Sequence, residues 1–338
     1  MRNSGIIFAL LLFVAGTAAA YDRDGTILKQ EPCPVEKESY DEFIQHVRIS
    51  YEQEVQSAAR IGVPMPAVEE RMRALPDARN FANRKEHHGF ECMQITYVSG
   101  GTKVIGFIYK PVDTAGKHLP VILYARGGSR DFGKIIPDHL FFPDHVFLEQ
   151  GFIIVASQYR GVDGGEGHDE FGGKDLEDIL SLVPLARGLE YADAKNLFLY
   201  GFSRGGMMTY LALKHGIRVN AAAVSAGPTD LASLGQLRPE MEKNYREMIP
   251  DYEKDPAGTT RERSALEWPE KINTPLLILH GTADWRVPTT DSLRLALKLQ
   301  QLHKEYALEI FANDAHGLPL HNDEAHEIMV RWFRGHMK

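Results

Sequence analysis

The chain has 338 residues, 43% of them hydrophobic and 25% charged, a composition that fits one large globular domain with a small addition and excludes a disordered or fibrous chain. Its formal net charge of −8 is spread along the sequence without a basic block, which argues against a nucleic-acid partner.

The first twenty residues differ from the rest. Arg2 gives a positive start, residues 6–14 are an unbroken apolar run, and Thr17-Ala18-Ala19-Ala20 supplies small residues. This pattern predicts a secretory signal peptide over residues 1–20, cleaved after Ala20. The alternative is an uncleaved anchor, although the apolar run is short for a membrane span. No second long apolar segment follows, so the mature protein is expected to be exported, periplasmic or secreted, with no membrane span. Cys33 and Cys92 are the only cysteines. In an oxidising compartment they could pair; two buried thiols are the other reading.

Residues 21–90 read as a helical lead-in. Ser39-Tyr40-Asp41-Glu42 is a capping box, and Phe43, Ile44, Val47, Tyr51, Val55 and Ala58 recur behind it at helical spacing. The spacing predicts a helix over 40–61, stopped by Gly62 and Pro64, and a second over 67–75. From Glu91 the period becomes two: residues 91–98 and 103–110 around Gly100-Gly101 predict a hairpin. Apolar runs at 121–124, 152–156, 196–200, 221–224 and 276–279 predict buried strands, with a last strand at 306–311. Helical stretches at 176–186, 207–214, 292–302 and 324–334 lie between and after them. Alternating buried strands and helices predict an α/β fold, a mostly parallel twisted sheet covered on both faces. Residues 228–273 hold no clean strand. They read as an excursion over the active-site face, with a solvated surface helix as the alternative for 238–255.

The sequence's sharpest local feature is Gly201-Phe202-Ser203-Arg204-Gly205-Gly206, set between an apolar strand and a helix-forming stretch. A nucleophile elbow needs a serine on a strained turn with nothing bulky beside it, and the glycines meet that need. Ser203 would then project above the carboxyl end of the sheet, with the Arg204 backbone N–H at a helix N-terminus ready to donate to an oxyanion. A hairpin entering such a sheet, with the elbow after the fifth predicted strand, describes an α/β-hydrolase. The partners of the serine follow in the order this fold requires. Asp284 stands in the loop after strand 276–279 and His316 in the loop after strand 306–311. Asp230 competes as the acid but reads better as a helix N-cap. Asp314 is too near His316 in sequence to reach round to its ring, and His280 reads as a packed or bonded strand-end residue. His87-His88 and His139 with His145 lack metal-ligand spacing, so no metal or cofactor is expected.

These segments together resemble the catalytic domain of the prolyl oligopeptidase-type serine peptidases. The likeness runs through residues 95–111, Tyr159-Arg160-Gly161, Gly172-Gly173-Lys174-Asp175 with Asp178, the elbow, residues 280–288 and Ala315-His316-Gly317, over roughly residues 91–338. The resemblance implies that Ser203, Asp284 and His316 are the catalytic triad. Two departures stand out. The segment before Glu91 is far too short for the β-propeller this family usually carries, and in Tyr124-Ala125-Arg126-Gly127-Gly128 an arginine stands where the family's oxyanion loop often has a histidine or tyrosine. The second oxyanion donor is then expected near Gly127 or Gly128, with Arg126 either meeting a substrate anion or forming an outward ion pair. Tyr159, Trp285 and Phe132 are candidate pocket walls, with burial in the core as the alternative. The expected activity is cleavage of amide bonds in short peptides through an acyl-enzyme. A carboxylesterase with the same triad is the alternative, and a non-catalytic binding module on a hydrolase scaffold is disfavoured because no triad residue is missing. The expected partner is a peptide or ester substrate.

Overall fold

The computed structural model describes residues 24–34, 38–85, 89–137 and 145–338. The expected signal peptide lies outside the described residues, as do His87, His88 and His139. Among the described residues nine strands make one sheet: β1 (Ile27–Pro32), β2 (Phe90–Ser99), β3 (Thr102–Pro111), β4 (Leu119–Ala125), β5 (Ile153–Ser157), β6 (Ala192–Phe202), β7 (Ala221–Ser225), β8 (Leu276–Gly281) and β9 (Tyr306–Phe311). Their order is β1-β2-β3-β5-β4-β6-β7-β8-β9. From β5 to β9 all neighbours are parallel, while β1, β2 and β3 enter as an antiparallel edge. Gly100 and Gly101, both at positive φ, close the β2–β3 hairpin as a two-residue turn whose twist matches that of the strands.

The central strands are apolar on both faces because both are covered. On one face Val121, Leu123 and Leu199 pack with Ile179, Leu182 and Met208. These come from helices α4 (Leu176–Leu180), α5 (Leu182–Arg187) and α6 (Arg204–Lys214). On the other face Ile122, Ile154 and Phe198 meet Phe147, Phe152 and Phe333, the last from the C-terminal helix (Asn322–Gly335). The helix expected over 176–186 is broken at Ser181. Pro184 has no N–H to reach the Leu180 carbonyl, so the ladder cannot run through.

The lead-in is partly as expected. Helix α1 (Tyr40–Arg60) starts at a complete capping box, with Ser39 N–H donating to Glu42 Oε2 at 2.7 Å and Glu42 N–H to Ser39 Oγ at 3.3 Å. Helix α2 (Val68–Arg73) follows, and α3 (Ala78–Lys85) was not foreseen. The larger correction is β1, a strand inside a segment expected to be helical, which makes the elbow follow the sixth strand and not the fifth. Its burial does not alternate cleanly, because it lies at the edge of the sheet and is specified by the open side of β2 more than by its own side chains. Cys33, at the end of β1, is disulfide-bonded to Cys92 of β2 with the two Cα atoms 5.4 Å apart, which resolves the open cysteine question in favour of a bridge. The bridge closes 59 residues of chain, so the loop-entropy relation predicts that the double Ser variant loses about 4 kcal/mol of stability. Denaturant unfolding would measure it; an unchanged midpoint would show that the edge strand holds without the bridge.

Candidate active site

Ser203 sits at φ 55°, ψ −123° between β6 and α6, a conformation unfavourable for any side chain and maintained here by crowding. A Cβ on Gly201 would overlap the Gly205 carbonyl and Thr209 Oγ1, and one on Gly205 would overlap the Ala125 carbonyl. Gly206 is held as tightly, since a Cβ there would lie 2.6 Å from Gly227 Cα. The Ser203 N–H donates to the Ser225 carbonyl at 2.9 Å, tying the turn to β7.

His316 arrives on the loop after β9. Its Nε2 is 2.9 Å from Ser203 Oγ, and its Nδ1 is 2.8 Å from Asp284 Oδ2. Asp284, on the loop after β8, is buried and accepts four hydrogen bonds. Oδ1 takes the N–H groups of Arg286 and Val287, both at 2.9 Å, while Oδ2 takes His316 and the His280 Nε2 at 3.1 Å. Burial alone would raise its pKa, but the facing His316 and the donors outweigh it and hold the carboxyl well below the usual range. Since Nδ1 of His316 faces a carboxylate, that nitrogen carries the proton and Nε2 is the free base towards the serine. The three residues expected to meet do so in one row.

The competitors fall as their sequence context implied. Asp230 caps the helix Leu231–Leu237 by accepting from Ser233 N–H at 3.1 Å. Asp314 turns away to accept from Ala315, Leu320 and His321 N–H groups. His280 is a bonded strand-end residue, with Nδ1 2.6 Å from Ser292 Oγ, and it also supports the triad carboxylate, which its sequence position did not reveal. Among the described residues no group of three or more His, Cys, Asp or Glu side chains is arranged to hold a metal ion.

Gly127 passes directly beside Ser203, since a Cβ there would stand 3.2 Å from Ser203 Cβ. Gly128 has φ 68°, and a Cβ would collide with the Phe132 carbonyl. Arg126 is not the outward ion pair that was the alternative: it is among the residues lining the active-site cavity, with its guanidinium turned onto backbone carbonyls. The side chain is 1% exposed, and its guanidinium donates to the carbonyls of Gln158, Gly127, Phe132 and Arg130 at 2.7–3.3 Å. Burial, helped by the nearby Arg204 charge, pushes its pKa down to about 10. The loop folds back round it, so Arg126 shapes the glycine turn from within. Tyr159 is also corrected. It is fully buried, its hydroxyl donates to the Arg126 carbonyl at 3.1 Å, and it does not line the cavity. Trp285 does not line it either; Arg238 and Arg286 lie over its ring at 5.2 and 4.9 Å. Phe132, 66% exposed, does line it.

Sequence reasoning gave Arg204 a backbone role and missed its side chain. The guanidinium is buried and reaches Asp169 at 2.6 and 2.7 Å, Asp175 at 2.5 Å and the Gly128 carbonyl at 3.0 Å. Burial opposes its charge, but the two carboxylates outweigh burial and hold the pKa above its usual value. The residue after Ser203 thus fastens the turn to both the 169–175 loop and the glycine loop. Arg204→Met should therefore strand two buried carboxylates and destabilise the fold by about 3–5 kcal/mol. Adding Asp175→Asn should return part of that loss in urea unfolding, and a single variant as stable as the parent would contradict the assignment.

Ser203, His316, Gly127, Gly128, Phe132 and Phe202 share a cavity of about 380 Å³. Helix α1 also reaches it through Glu54, which pairs with Arg286 at 3.1 Å. Nothing in the sequence linked that helix to the site.

An α/β-hydrolase sheet carrying a Ser-His-Asp row behind a strained elbow defines a serine hydrolase. The sequence pattern of the prolyl oligopeptidase family matches residues 140–338, and the chain belongs to that family of serine peptidases. It is similar to the uncharacterized peptidase YtmA of Bacillus subtilis, 29% identical over 244 residues, covering 72% of this chain and 92% of that protein. It is also similar to dipeptidyl-peptidase 5 of Porphyromonas gingivalis, 29% identical over 206 residues, 57% of this chain and 30% of that one. Among solved structures, an acylaminoacyl peptidase in complex with Z-Gly-Gly-Phe-chloromethyl ketone superimposes with a TM-score of 0.63 at 25% identity, covering 74% of this chain and 42% of that chain. The chain therefore spans nearly all of YtmA but less than half of the other two. The described residues form the catalytic sheet and its helices, with no propeller blade among them. No helix among them is long and apolar enough to cross a membrane.

Proposed function

We propose that the chain is an exported serine peptidase that cleaves amide bonds of short peptides through an acyl-enzyme. The observation that carries this reading is the unbroken row from Ser203 Oγ through His316 to Asp284 at 2.9 and 2.8 Å. His316 Nε2 takes the Ser203 proton as Oγ attacks the scissile carbonyl, and Asp284 steadies the imidazolium. Negative charge then develops on the carbonyl oxygen, facing the Arg204 N–H at the start of α6 and an N–H of the Gly127-Gly128 turn. His316 returns the proton to the amine nitrogen as the C–N bond breaks, and water, activated by the same imidazole, releases the acid from the serine. The Cys33–Cys92 bridge supports an oxidising compartment and hence export.

The same groups serve an ester, so the leaving group is what has to be tested. A panel of peptide anilides and short acyl esters given to the purified protein should show anilide turnover. Ester turnover with no anilide turnover would make the protein a carboxylesterase.

A further inference from the structure

Beside the active-site cavity lies a second recess of about 280 Å³, and helix α1 forms one wall of it. Phe43, Val47, Tyr51, Glu54, Arg71 and His316 line it. Two of these, Glu54 and His316, also line the active-site cavity. The imidazole therefore stands between two spaces of different character. Ser203, Gly127 and Gly128 face the first cavity and not the second. An acyl group being attacked and its oxyanion belong in the first, a departing amine must lie within reach of His316 Nε2, and the second recess adjoins that imidazole.

Arg71 is the unusual residue of the recess. Its Nη1 donates to the Pro319 carbonyl at 3.0 Å, and no carboxylate among the described residues lies within ion-pairing distance. Neighbouring acids are engaged elsewhere: Glu54 with Arg286 at 3.1 Å, and Asp314 with the N–H groups of Ala315, Leu320 and His321 and with His321 Nδ1. The Tyr51 hydroxyl donates to the Pro66 carbonyl, and His46, at the rim, is 3.6 Å from Glu38. Burial pulls the Arg71 pKa below its usual value, with Tyr51, Asp314 and Glu54 opposing that pull. Arg71 is partly buried, its guanidinium stays charged there, and a charge partly withdrawn from water is favoured by an opposite one. Among the described residues its one hydrogen-bond partner is a neutral carbonyl.

We propose that Arg71 is a receptor for the free C-terminal carboxylate of the leaving fragment, so that the enzyme acts on short peptides ending one or two residues beyond the scissile bond. This rests on the peptidase reading above and names its substrate class. A guanidinium fork matches a carboxylate in two parallel hydrogen bonds. At about 280 Å³ the recess falls just below the range of drug-sized ligand pockets, roughly 300–1,000 Å³, which suits one or two residues. Phe43, Val47 and Tyr51 give the fragment's side chain an apolar surface.

The test uses calorimetry, which needs no turnover. Phenylalanylalanine and its C-terminal amide are titrated into Ser203→Ala protein, with and without Arg71→Gln, while cleavage of longer peptides is followed separately in the parent. The free acid should bind about tenfold to a hundredfold more tightly than the amide, as a charge-assisted pair implies. Arg71→Gln should bring that ratio close to one, and Arg71→Lys should keep part of it. Thermal melts establish that each variant is folded. A ratio near one in the unsubstituted recess, or a ratio that survives Arg71→Gln, overturns the proposal. Peptides left uncleaved while the acid preference persists would instead sink the peptidase reading and leave the carboxylate receptor standing.

Discussion

Replacing Ser203 with Ala should lower kcat by about 10⁶-fold, because the nucleophile and its base act as a unit and neither retains useful catalysis alone. The fold should survive. Alanine has the same Cβ at the strained φ of 55°, and the turn is fixed by Gly201, Gly205 and Gly206 and by the Ser203 N–H bond to Ser225, none of which needs the hydroxyl. A fluorophosphonate probe should label the parent at one site and leave the variant unlabelled. Equal labelling of both proteins would remove Ser203 from the mechanism. A residual rate above that of water is expected from the N–H groups of Arg204 and the glycine turn, which the substitution leaves in place.

Asp284→Asn should be severe but less so, about 10⁴-fold in kcat, for a reason visible at this site. The carboxylate lies among four donors: the Arg286 and Val287 N–H groups, His316 Nδ1 and His280 Nε2. An amide has one oxygen to offer them, so its NH₂ must point at two of the four. If the oxygen keeps the two backbone donors, the NH₂ faces both histidines. His316 then relieves the clash by moving its proton from Nδ1 to Nε2, which leaves no base towards Ser203 Oγ. Steady-state kinetics would check this, with KM expected to change little because the substrate does not touch Asp284. A loss smaller than about tenfold would mean that the ring is oriented by something other than this carboxylate.

The parts of the site that were legible in the sequence are those whose chemistry is local. An elbow is built from contiguous residues, so the requirement for glycine on either side of Ser203 is written within six positions. Asp284 and His316 could be found because the chain order of a parallel sheet fixes which loops reach its carboxyl edge. The Ser39–Glu42 capping box and the Gly100-Gly101 turn were readable for the same reason, since each is satisfied within four residues. Arg126 was legible only in part. An arginine beside a nucleophile invites an anion, but the 126–133 loop folds back and supplies its own carbonyls, which no spacing announces.

The sequence alone determined the α/β sheet, the strained turn that carries Ser203 and the chain order of Asp284 and His316, because strand period, turn chemistry and chain order are properties of short segments. The tertiary structure decided the rest. It paired the edge strand β1 with β2 and closed the Cys33–Cys92 bridge over 59 residues. It also brought Asp169 and Asp175 to Arg204, and Glu54 and Arg71 to the rim of the triad. Glu54 and its partner Arg286 stand 232 positions apart in the chain. Contacts of that separation leave no periodic trace, since each partner's local pattern is that of an ordinary solvated charge until the fold removes the water between them.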